Sequence, residues 1–595
     1  MTLFVERAAS VQPEFALTET NAPFIAQICQ RLDGIALAIE LAASRMKMFK
    51  VEQIAARLDD AFGLLTSGNR AALPRQQTLR ALIDWSYNLL SEEEKTFLRK
   101  LSVFMGGWTL EAAEAVCENK DALELLTHLV DKSLVSVDHK HGDEVRYYLL
   151  ETIRQYAHEK LMESGDGDST RERHLEYFMQ LAETNEARRK TPEQMLAYQQ
   201  MRMEFDNFRI ALDWSLSEGM VGQNSDKGLR LANAIEWEEA MEEGLNWYKK
   251  GLAKIKHGIP EFDLIRAKGM TNLGVLLIFL GERVSAVDIM QGSLALYRSI
   301  NPQDKRGWLE THSRLVGAYI DYDSSVAISN AKASVALARS LGPEGIWELG
   351  TALYWDGVVS LRQREYETAK SRTQESLTIF RQLGDNIWVA HMLELLGLIE
   401  RDQGNFEAAR LYHEQSRDIY LALTMKRNEI NALWYLASIA RRTGHFDSAR
   451  ITLEEVIIYY RDKGLKNDLA RSLWELGETL FRLGETAQAT RTLQESLELL
   501  LHITHPRYKS YGLFTLAQAF HHQENNVDAA RLLGAIEVEV RKDLWQLYAP
   551  RMADYNQTME AIKTALGEGA YTIAYAEGLA MTLDQAISYV LELPL

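Results

Sequence analysis

The sequence predicts an all-α protein whose larger part is an α-α superhelix, a curved stack of helix pairs, preceded by a helical domain and a domain of three helices with a small β-hairpin. Three observations carry this. Small residues recur at a fixed period, with Gly317, Gly357, Gly397, Ala437, Gly477 and Ala517 at steps of 40 and Gly274 forty-three residues before the first. A second small residue follows twelve positions after each, as Ala286, Ser329, Ala369, Ala409, Ala449 and Ala489, with Ala530 displaced by one. The composition agrees: 595 residues, 46% apolar and with only 10 prolines, supply a large helical core.

Each period reads as helix, turn, helix. Turn signals lie between the two small positions, as Gly281-Glu282, Gly404-Asn405-Phe406, Gly444-His445-Phe446 and Gly484-Glu485, and Arg364-Glu365-Tyr366 fills the same place. Antiparallel helices approach closely only where one presents Gly or Ala, so both small residues are placed at the crossing. Leu353, Leu393, Leu433, Leu473 and Leu513 precede the first small position by four residues and line one helical face. The twelve-residue gap and these apolar residues resemble the tetratricopeptide repeat. That repeat is usually about 34 residues long; the period of 40 looks like the longer-helix variety of bacterial signalling regulators and kinesin light chains. One unit cannot bury its apolar face alone, so stacking is obligatory, and the inner groove of the stack is expected to bind a protein partner or a small-molecule inducer.

Trp355, Trp388, Trp434 and Trp474 fall within the repeats, where aromatic residues at helical spacing usually serve the core. Trp434 and Trp474 share one repeat phase and are the candidates for contact with a ligand or partner in the groove. Upstream, Asp206 to Trp214 and Leu229 to Ile255 read as helices out of phase, degenerate opening repeats. Downstream, Ala529 to Leu595 has helical patterns and no clean repeat, as a cap would.

In the N-terminal third, Ser91-Glu92-Glu93-Glu94 is a capping box opening an amphipathic helix through Phe97, Leu98 and Leu101, and Thr109 is placed to cap the next. Another helix is expected from Asp121 to Val130. Leu134 to Val137 and Val145 to Leu149 then alternate around the polar loop His139 to Asp143, as a β-hairpin does, and helix resumes at Glu151. Three helices followed by a hairpin is the order of a winged-helix domain.

Several runs resemble a known family: Arg75-Gln76-Gln77-Thr78-Leu79-Arg80, Asp84-Trp85-Ser86-Tyr87, Leu101-Ser102-Val103-Phe104, Leu129 to Leu134 and Leu149 to Ala157. The family is the bacterial branch of the STAND signal-transduction ATPases, kin of the NB-ARC and apoptotic ATPases. Arg31 to Ala43 is similar to that family's Gly-Leu-Pro-Leu-Ala segment, and the resemblance implies that Gly34 and Leu37 lie near bound adenine nucleotide. Ala36 stands where the family has proline, and Leu150 stands where it has the histidine that senses the diphosphate. The sequence contains no Gly-x-x-x-x-Gly-Lys-Ser/Thr, whose backbone amides and lysine cradle the phosphates in phosphoryl transfer. Leu3 to Ala8 resembles the interior of the family's helical domain, so the chain is expected to be the back half of a longer protein. No enzymatic activity and no cofactor are expected, ATP or ADP entering only if a separate nucleotide-binding domain is present.

The expected organisation is a helical adaptor domain over 1–68, a winged helix over 69–165, degenerate repeats over 166–262, tetratricopeptide-like repeats over 263–540 and a helical cap over 541–595. The net charge of −18 repels phosphate backbones, and Asp121 to Lys160 holds five Lys/Arg against eight Asp/Glu, so nucleic acid is not expected as a partner of this chain. Only Cys29 and Cys117 occur, in separate segments, which fits a reducing compartment. Met1 to Ser10 lacks the pattern of a secretory signal, and Val275 to Leu280 falls far short of the roughly 20 apolar residues that span a bilayer. A cytoplasmic location without membrane insertion follows. His413-Glu414 begins like a zinc-protease motif, but Arg417 occupies the place of its second histidine; no metal site is expected there. His521-His522, His139 and His141 read as solvated polar surface, and Glu236 to Glu243 as a solvated helix face, with contact to a basic partner region as the second reading.

The leading expectation is the non-catalytic sensor half of a STAND-type regulator, the superhelix recognising a signal and the winged helix relaying it. The alternatives are a transcription factor reading DNA through its winged helix, and an ATPase whose nucleotide core lies on another chain.

Overall fold

The structure is a computed structural model, and it describes residues 1–32, 36–56, 74–138, 145–217, 224–300, 305–320, 323–501, 506–541 and 549–593. It forms two compact units. One holds Met1–Arg188, Leu196–Ile235 and Trp247–His257; the other holds Arg189–Met195, Glu236–Asn246 and Gly258–Leu595. No described helix is long and apolar enough to cross a membrane.

The first unit opens with α1 (Thr2–Val11), α2 (Ala22–Arg31) and α3 (Ala36–Ala43), followed by α4 (Pro74–Asn88). The winged helix is built from α5 (Glu92–Leu101), α6 (Leu110–Cys117), α7 (Ala122–Asp131), the strands β1 (Ser136–Asp138) and β2 (Arg146–Tyr148), and α8 (Glu151–Ser164). Ser91 and Glu94 close the capping box at α5, and the Thr109 hydroxyl accepts the Ala112 amide at α6, as their spacing predicts. β1 and β2 pair antiparallel, Ser136 opposite Tyr148, and Trp108 exchanges backbone hydrogen bonds with Tyr147 at 2.8 and 2.9 Å. That third rung requires Gly107, which sits at a φ of +96° where a Cβ would meet the Tyr147 carbonyl oxygen at 2.9 Å. The loop from His139 to Asp143, with His139 and His141, lies outside the described residues.

The helices α9 (Gly167–Arg188), α10 (Gln194–Met203), α11 (Phe205–Ser215), α12 (Ser225–Ala234) and α13 (Met241–Lys254) follow. In the first unit Phe104 stacks on Trp108 at 5.1 Å between ring centroids and meets Phe178 edge-on at 6.1 Å, with the buried His174 beside them. Arg146 and Glu204 form a buried ion pair whose side chains are 5% and 6% exposed. Asn207 completes it, donating to Glu204 Oε2 at 2.7 Å and to the Gly107 carbonyl at 2.9 Å while accepting the Met105 amide at 2.8 Å. This polar cluster has its charges and amides paired, as burial demands.

The second unit is an α-α superhelix. Its pairs are α14 (Pro260–Leu280) with α15 (Arg283–Ile300), α16 (Arg306–Tyr319) with α17 (Ser324–Ser340), α18 (Ile346–Arg362) with α19 (Tyr366–Leu383), α20 (Asn386–Asp402) with α21 (Phe406–Ala422), α22 (Lys426–Arg442) with α23 (Phe446–Asp462), α24 (Lys466–Arg482) with α25 (Thr486–Leu501), and α26 (Pro506–His522) with α27 (Asn526–Val540). The small residues are buried at the crossings, but the close partner is not the second small residue. A Cβ on Gly357, Gly397 or Gly477 would come within 3 Å of the side chain sixteen positions on: Thr373, His413 and Leu493. The second small residue contributes through its backbone, Ala369 and Ala489 presenting a carbonyl oxygen 3.5 Å from the built Cβ. His413 therefore has a packing role, filling the place that Leu493 fills elsewhere. Burial and the nearby Arg401 push its pKa down to about 3, so the ring is neutral.

Turns after α20, α22 and α24 enter the left-handed region, at φ of +85° for Gly404 and Gly444 and +84° for Gly484. The next amide reaches back to close the helix, Asn405 N to Glu400 O at 2.8 Å. Arg364 adopts the same conformation at φ +65°. Downstream, α28 (Ala549–Leu566), α29 (Glu568–Leu579) and α30 (Leu583–Glu592) pack on the last pairs around Leu513, Leu533, Ile536, Ile562 and Ile587. Here α27 and α29 touch backbone to backbone, a Cβ on Gly578 falling 1.8 Å from the Arg531 carbonyl oxygen.

Candidate functional site

The first helices of successive pairs lie side by side and form one wall. Thr271 and Thr311 share a hydrogen bond of 2.7 Å across α14 and α16, and Arg471 donates to Asn431 at 3.1 Å across α24 and α22. The second helices carry the exposed apolar side chains of the opposite face, Leu411, Leu421, Ile451 and Ile458. The array curls far enough that its beginning meets its later turns: Phe279 lies under the Arg427 guanidinium at 4.7 Å, and a Cβ on Gly281 would touch Asn467 at 2.5 Å.

Residues near the start of each first helix gather in this wall. Trp347 meets Trp388 edge-on at 5.9 Å, and Trp388 stacks on Phe380 at 5.1 Å and touches Tyr354 and His391, each at 5.4 Å. The Tyr420 hydroxyl lies 2.7 Å from His391 Nδ1 and donates to Glu394 Oε2 at 3.1 Å. Burial works against the His391 cation, yet the hydrogen bond and field of Glu394, with Glu238 and Asp385, raise its pKa above the ordinary value.

Two stretches of the same unit that precede the repeats in sequence are seated against this wall. From Arg189–Met195, the Lys190 ammonium stands 3.7 Å over the Trp347 ring, and Gln194 donates to Asp385 Oδ1 at 2.9 Å while accepting the Ile387 amide at 3.2 Å. Trp347 Nε1 donates to Asp385 Oδ2 at 3.0 Å. From Glu236–Asn246, Glu239 accepts the Arg427 amide at 3.0 Å and the Tyr459 hydroxyl at 3.0 Å. This corrects the expectation for Glu236 to Glu243. Residues 236–240 are not helical, α13 starting only at Met241, and Trp237 and Met241 are buried. A charge run alone does not disclose that the apolar residues within it anchor it against a neighbour.

Trp434 and Trp474 come to lie in adjacent first helices and are both buried, 4% and 3% exposed. The Arg471 guanidinium covers Trp434 at 3.8 Å, and Tyr508 and Tyr511 lie 5.6 and 5.2 Å from Trp474. Trp355 packs on Gly317. Gly34 lies outside the described residues; Leu37 falls in α3, and its side chain is likewise outside them. Among the described residues no three His, Cys, Asp or Glu side chains are grouped to hold a metal. Sequence reasoning missed Trp347, Asp385, Arg427 and Tyr459. A signal existed for two of them, since 347, 387, 427 and 467 occupy one phase of the 40-residue period and all four take part in contacts on this wall.

On the winged helix, Asp121, which flanks α7 at its N-terminus, and Leu123, Glu124, Thr127 and His128 of α7 face solvent, and the helix holds no lysine or arginine. Its C-terminal end is covered from the N-terminal helices: Lys47 pairs with Asp131 at 2.5 Å and Arg7 donates to Ser133 at 3.2 Å.

The chain matches a winged helix-turn-helix domain over residues 90–162 and the tetratricopeptide repeat over residues 348–422. Both domains are present. It is 35% identical over 431 residues to proteins named "Putative HTH-type transcriptional regulator" in Mycobacterium tuberculosis (strain ATCC 25618 / H37Rv) and Mycobacterium bovis, an alignment that covers 70% of this chain and 47% of each relative. An uncharacterized M. tuberculosis protein is 41% identical over 184 residues, 30% of this chain and 47% of its own length. The chain thus spans about half the length of the curated relatives it matches. Among solved structures, the STAND protein with a tetratricopeptide repeat sensor from Pyrococcus horikoshii aligns over 90% of this chain and 74% of its own, at 14% identity and a TM-score of 0.44. A Rap protein complexed with Competence and Sporulation Factor aligns over 56% and 97%, at 14% identity and a TM-score of 0.40.

Proposed function

We propose that this chain is the non-catalytic sensor and scaffold portion of a STAND-type transcriptional or signal-transduction regulator, in which the repeat wall binds a protein or small-molecule signal and the winged helix relays its occupancy. The observation that carries the reading is the wall itself. Trp347, Tyr354, Trp388 and His391 offer rings and a paired imidazole side by side on the first helices, the chemistry of recognition. The acidic, lysine-free and arginine-free surface of α7 favours relay over direct reading of DNA, because phosphate contact depends on basic side chains. For a relay, the signal must bind one arrangement of the chain more tightly than another, since equal affinity shifts nothing.

The test is a transcript profile of the source cell with the chain deleted, intact or carrying Trp347→Ala and Trp388→Ala. The paired substitution is expected to reproduce the deletion profile while hydrogen exchange in the winged helix stays as in the intact chain. A deletion that leaves all transcripts unchanged overturns the reading. Two further measurements address the alternatives. A gel shift at physiological salt is expected to show no complex, a salt-reversible shift reviving direct DNA binding, and calorimetry with ATP or ADP is expected to give no one-to-one heat.

A further inference from the structure

Glu239 is held by two donors from different elements, the Arg427 amide in the first turn of α22 and the Tyr459 hydroxyl near the end of α23, each at 3.0 Å. Beside this clamp a cavity of about 190 Å³, open to solvent, lies between the segment Glu238 to Glu243 with Leu280 on one side and Tyr459, Lys463, Gly464 and Leu465 on the other. Two cations of the wall, Arg427 and Lys463, lie toward the anionic strap, Lys463 with Asp462 beside it at 3.9 Å. Arg427 stands against Asp468 at 3.6 Å and Phe279 at 4.7 Å, and its Nε has no hydrogen-bond partner among the described residues. The strap, meanwhile, sets three carboxylates within four residues. Burial, then the charges of Glu236 and Glu239, lift the Glu238 carboxyl above its ordinary range in spite of Arg427 and His391. Like charges crowded in this way weaken the strap's own hold.

Resting on the reading of the repeat wall as a recognition surface, we infer that the clamp formed by the Arg427 amide and the Tyr459 hydroxyl, with Lys463 lining the cavity beside it, is a docking site for an acidic peptide of another protein, and that the chain's own Glu236–Glu239 strap occupies it as a stand-in until such a peptide displaces it. The occupant on the page defines the ligand class: a carboxylate for the two donors, flanked by further carboxylates toward Lys463 and Arg427 and by an apolar anchor corresponding to Trp237. Salt weakens such docking, as charge pairing at a partly exposed wall requires.

The experiment uses the full chain and a labelled synthetic peptide spanning Ala234 to Gly244, followed by fluorescence anisotropy. The intact chain is expected to bind it weakly, because the strap competes at high effective concentration. Glu238→Ala with Glu239→Ala, which releases the strap's carboxylates, is expected to tighten binding at least tenfold. Adding Tyr459→Phe to that variant, or replacing every Glu of the peptide by Gln, is expected to reverse the gain. Equal affinity of the intact chain and the released variant, with helical content retained, overturns the stand-in; undiminished binding of the Gln peptide overturns the acidic class; competition by free glutamate at millimolar concentration as strong as by the peptide shows a small-carboxylate site in its place. The two readings fail separately. Peptide binding in a chain whose deletion changes no transcript sinks the regulatory role alone, and a transcript response lost in the Trp347→Ala and Trp388→Ala variant without peptide binding sinks the docking site alone.

Discussion

The two units are held together in opposite ways. In the first, contacts that fix the winged helix join residues far apart in sequence: Arg146 pairs with Glu204, and Asn207 bridges Glu204, Gly107 and Met105. In the repeat array most contacts join neighbours in the same or the next helix pair, as Ser376 to Gly350, Arg471 to Asn431 and Gly477 to Leu493 do. The lesson is one of cooperativity. A unit whose parts share a few buried polar anchors loosens as a whole, whereas a stack of nearest-neighbour interfaces loosens locally.

Glu204→Ala sharpens that contrast most. It leaves the Arg146 cation buried without its partner, at a cost of about 3–5 kcal/mol. Hydrogen exchange is expected to rise throughout the winged helix, and exchange confined to the residues around Glu204 breaks the comparison. Gly477→Ala comes next: its Cβ falls 2.6 Å from Leu493 Cγ, and overpacking of this kind costs about 1–3 kcal/mol. The rise in exchange should stay within α24, α25 and their immediate neighbours, and a loss spread over α14 to α19 would make the array as cooperative as the first unit.

Acid acts on both units through neutral buried histidines. Burial, opposed by the Asn207 hydrogen bond, lowers His174 to about 4 in the first unit, and burial with Arg401 lowers His413 to about 3 in the array. Both folded values lie below the ordinary 6.5, so the unfolded chain binds more protons between them. Stability is full above about 6.5 and falls as pH drops toward 4 and 3, by roughly 1.4 kcal/mol for each unit of pH within the window. His413→Leu, which places in the fourth pair the residue that the sixth pair has as Leu493, should flatten the acid response of α20 and α21 and leave that of α9, which carries His174, unchanged, read as exchange rates at pH 7 and 4.5. The smallest effect is expected from Arg364→Gly. Relieving the left-handed conformation at φ +65° should stabilise the third pair by about 1 kcal/mol, visible as slower exchange in α18 and α19 alone.

Legibility in the sequence follows the same division. The 40-residue recurrence of Gly and Ala predicted the helix pairs because each crossing depends on local residues at fixed spacing, and the Ser91 and Thr109 caps were readable because capping spans three residues. What the repeat pattern did not show is the bulk that each crossing takes up, Thr373 against Gly357, His413 against Gly397 and Leu493 against Gly477, one turn beyond the second small residue. Trp434 and Trp474, read as candidates for groove contact, are buried, and what covers them, Arg471, Tyr508 and Tyr511, left no trace in the repeat phase. The acidic stretch from Glu236 to Glu243 was misread because its partners, Arg427 and Tyr459, lie 188 and 220 residues away from Glu239.

By itself the sequence determined that this chain folds as stacked helix pairs behind a winged helix, because periodic small residues and local caps act over one or two turns and leave a regular trace. Only the tertiary structure decided which wall faces which segment, and that Lys190, Gln194 and Glu239 are seated on it. Such contacts form once the array curls back on itself. Curvature accumulates over many pairs, and no single pair records it.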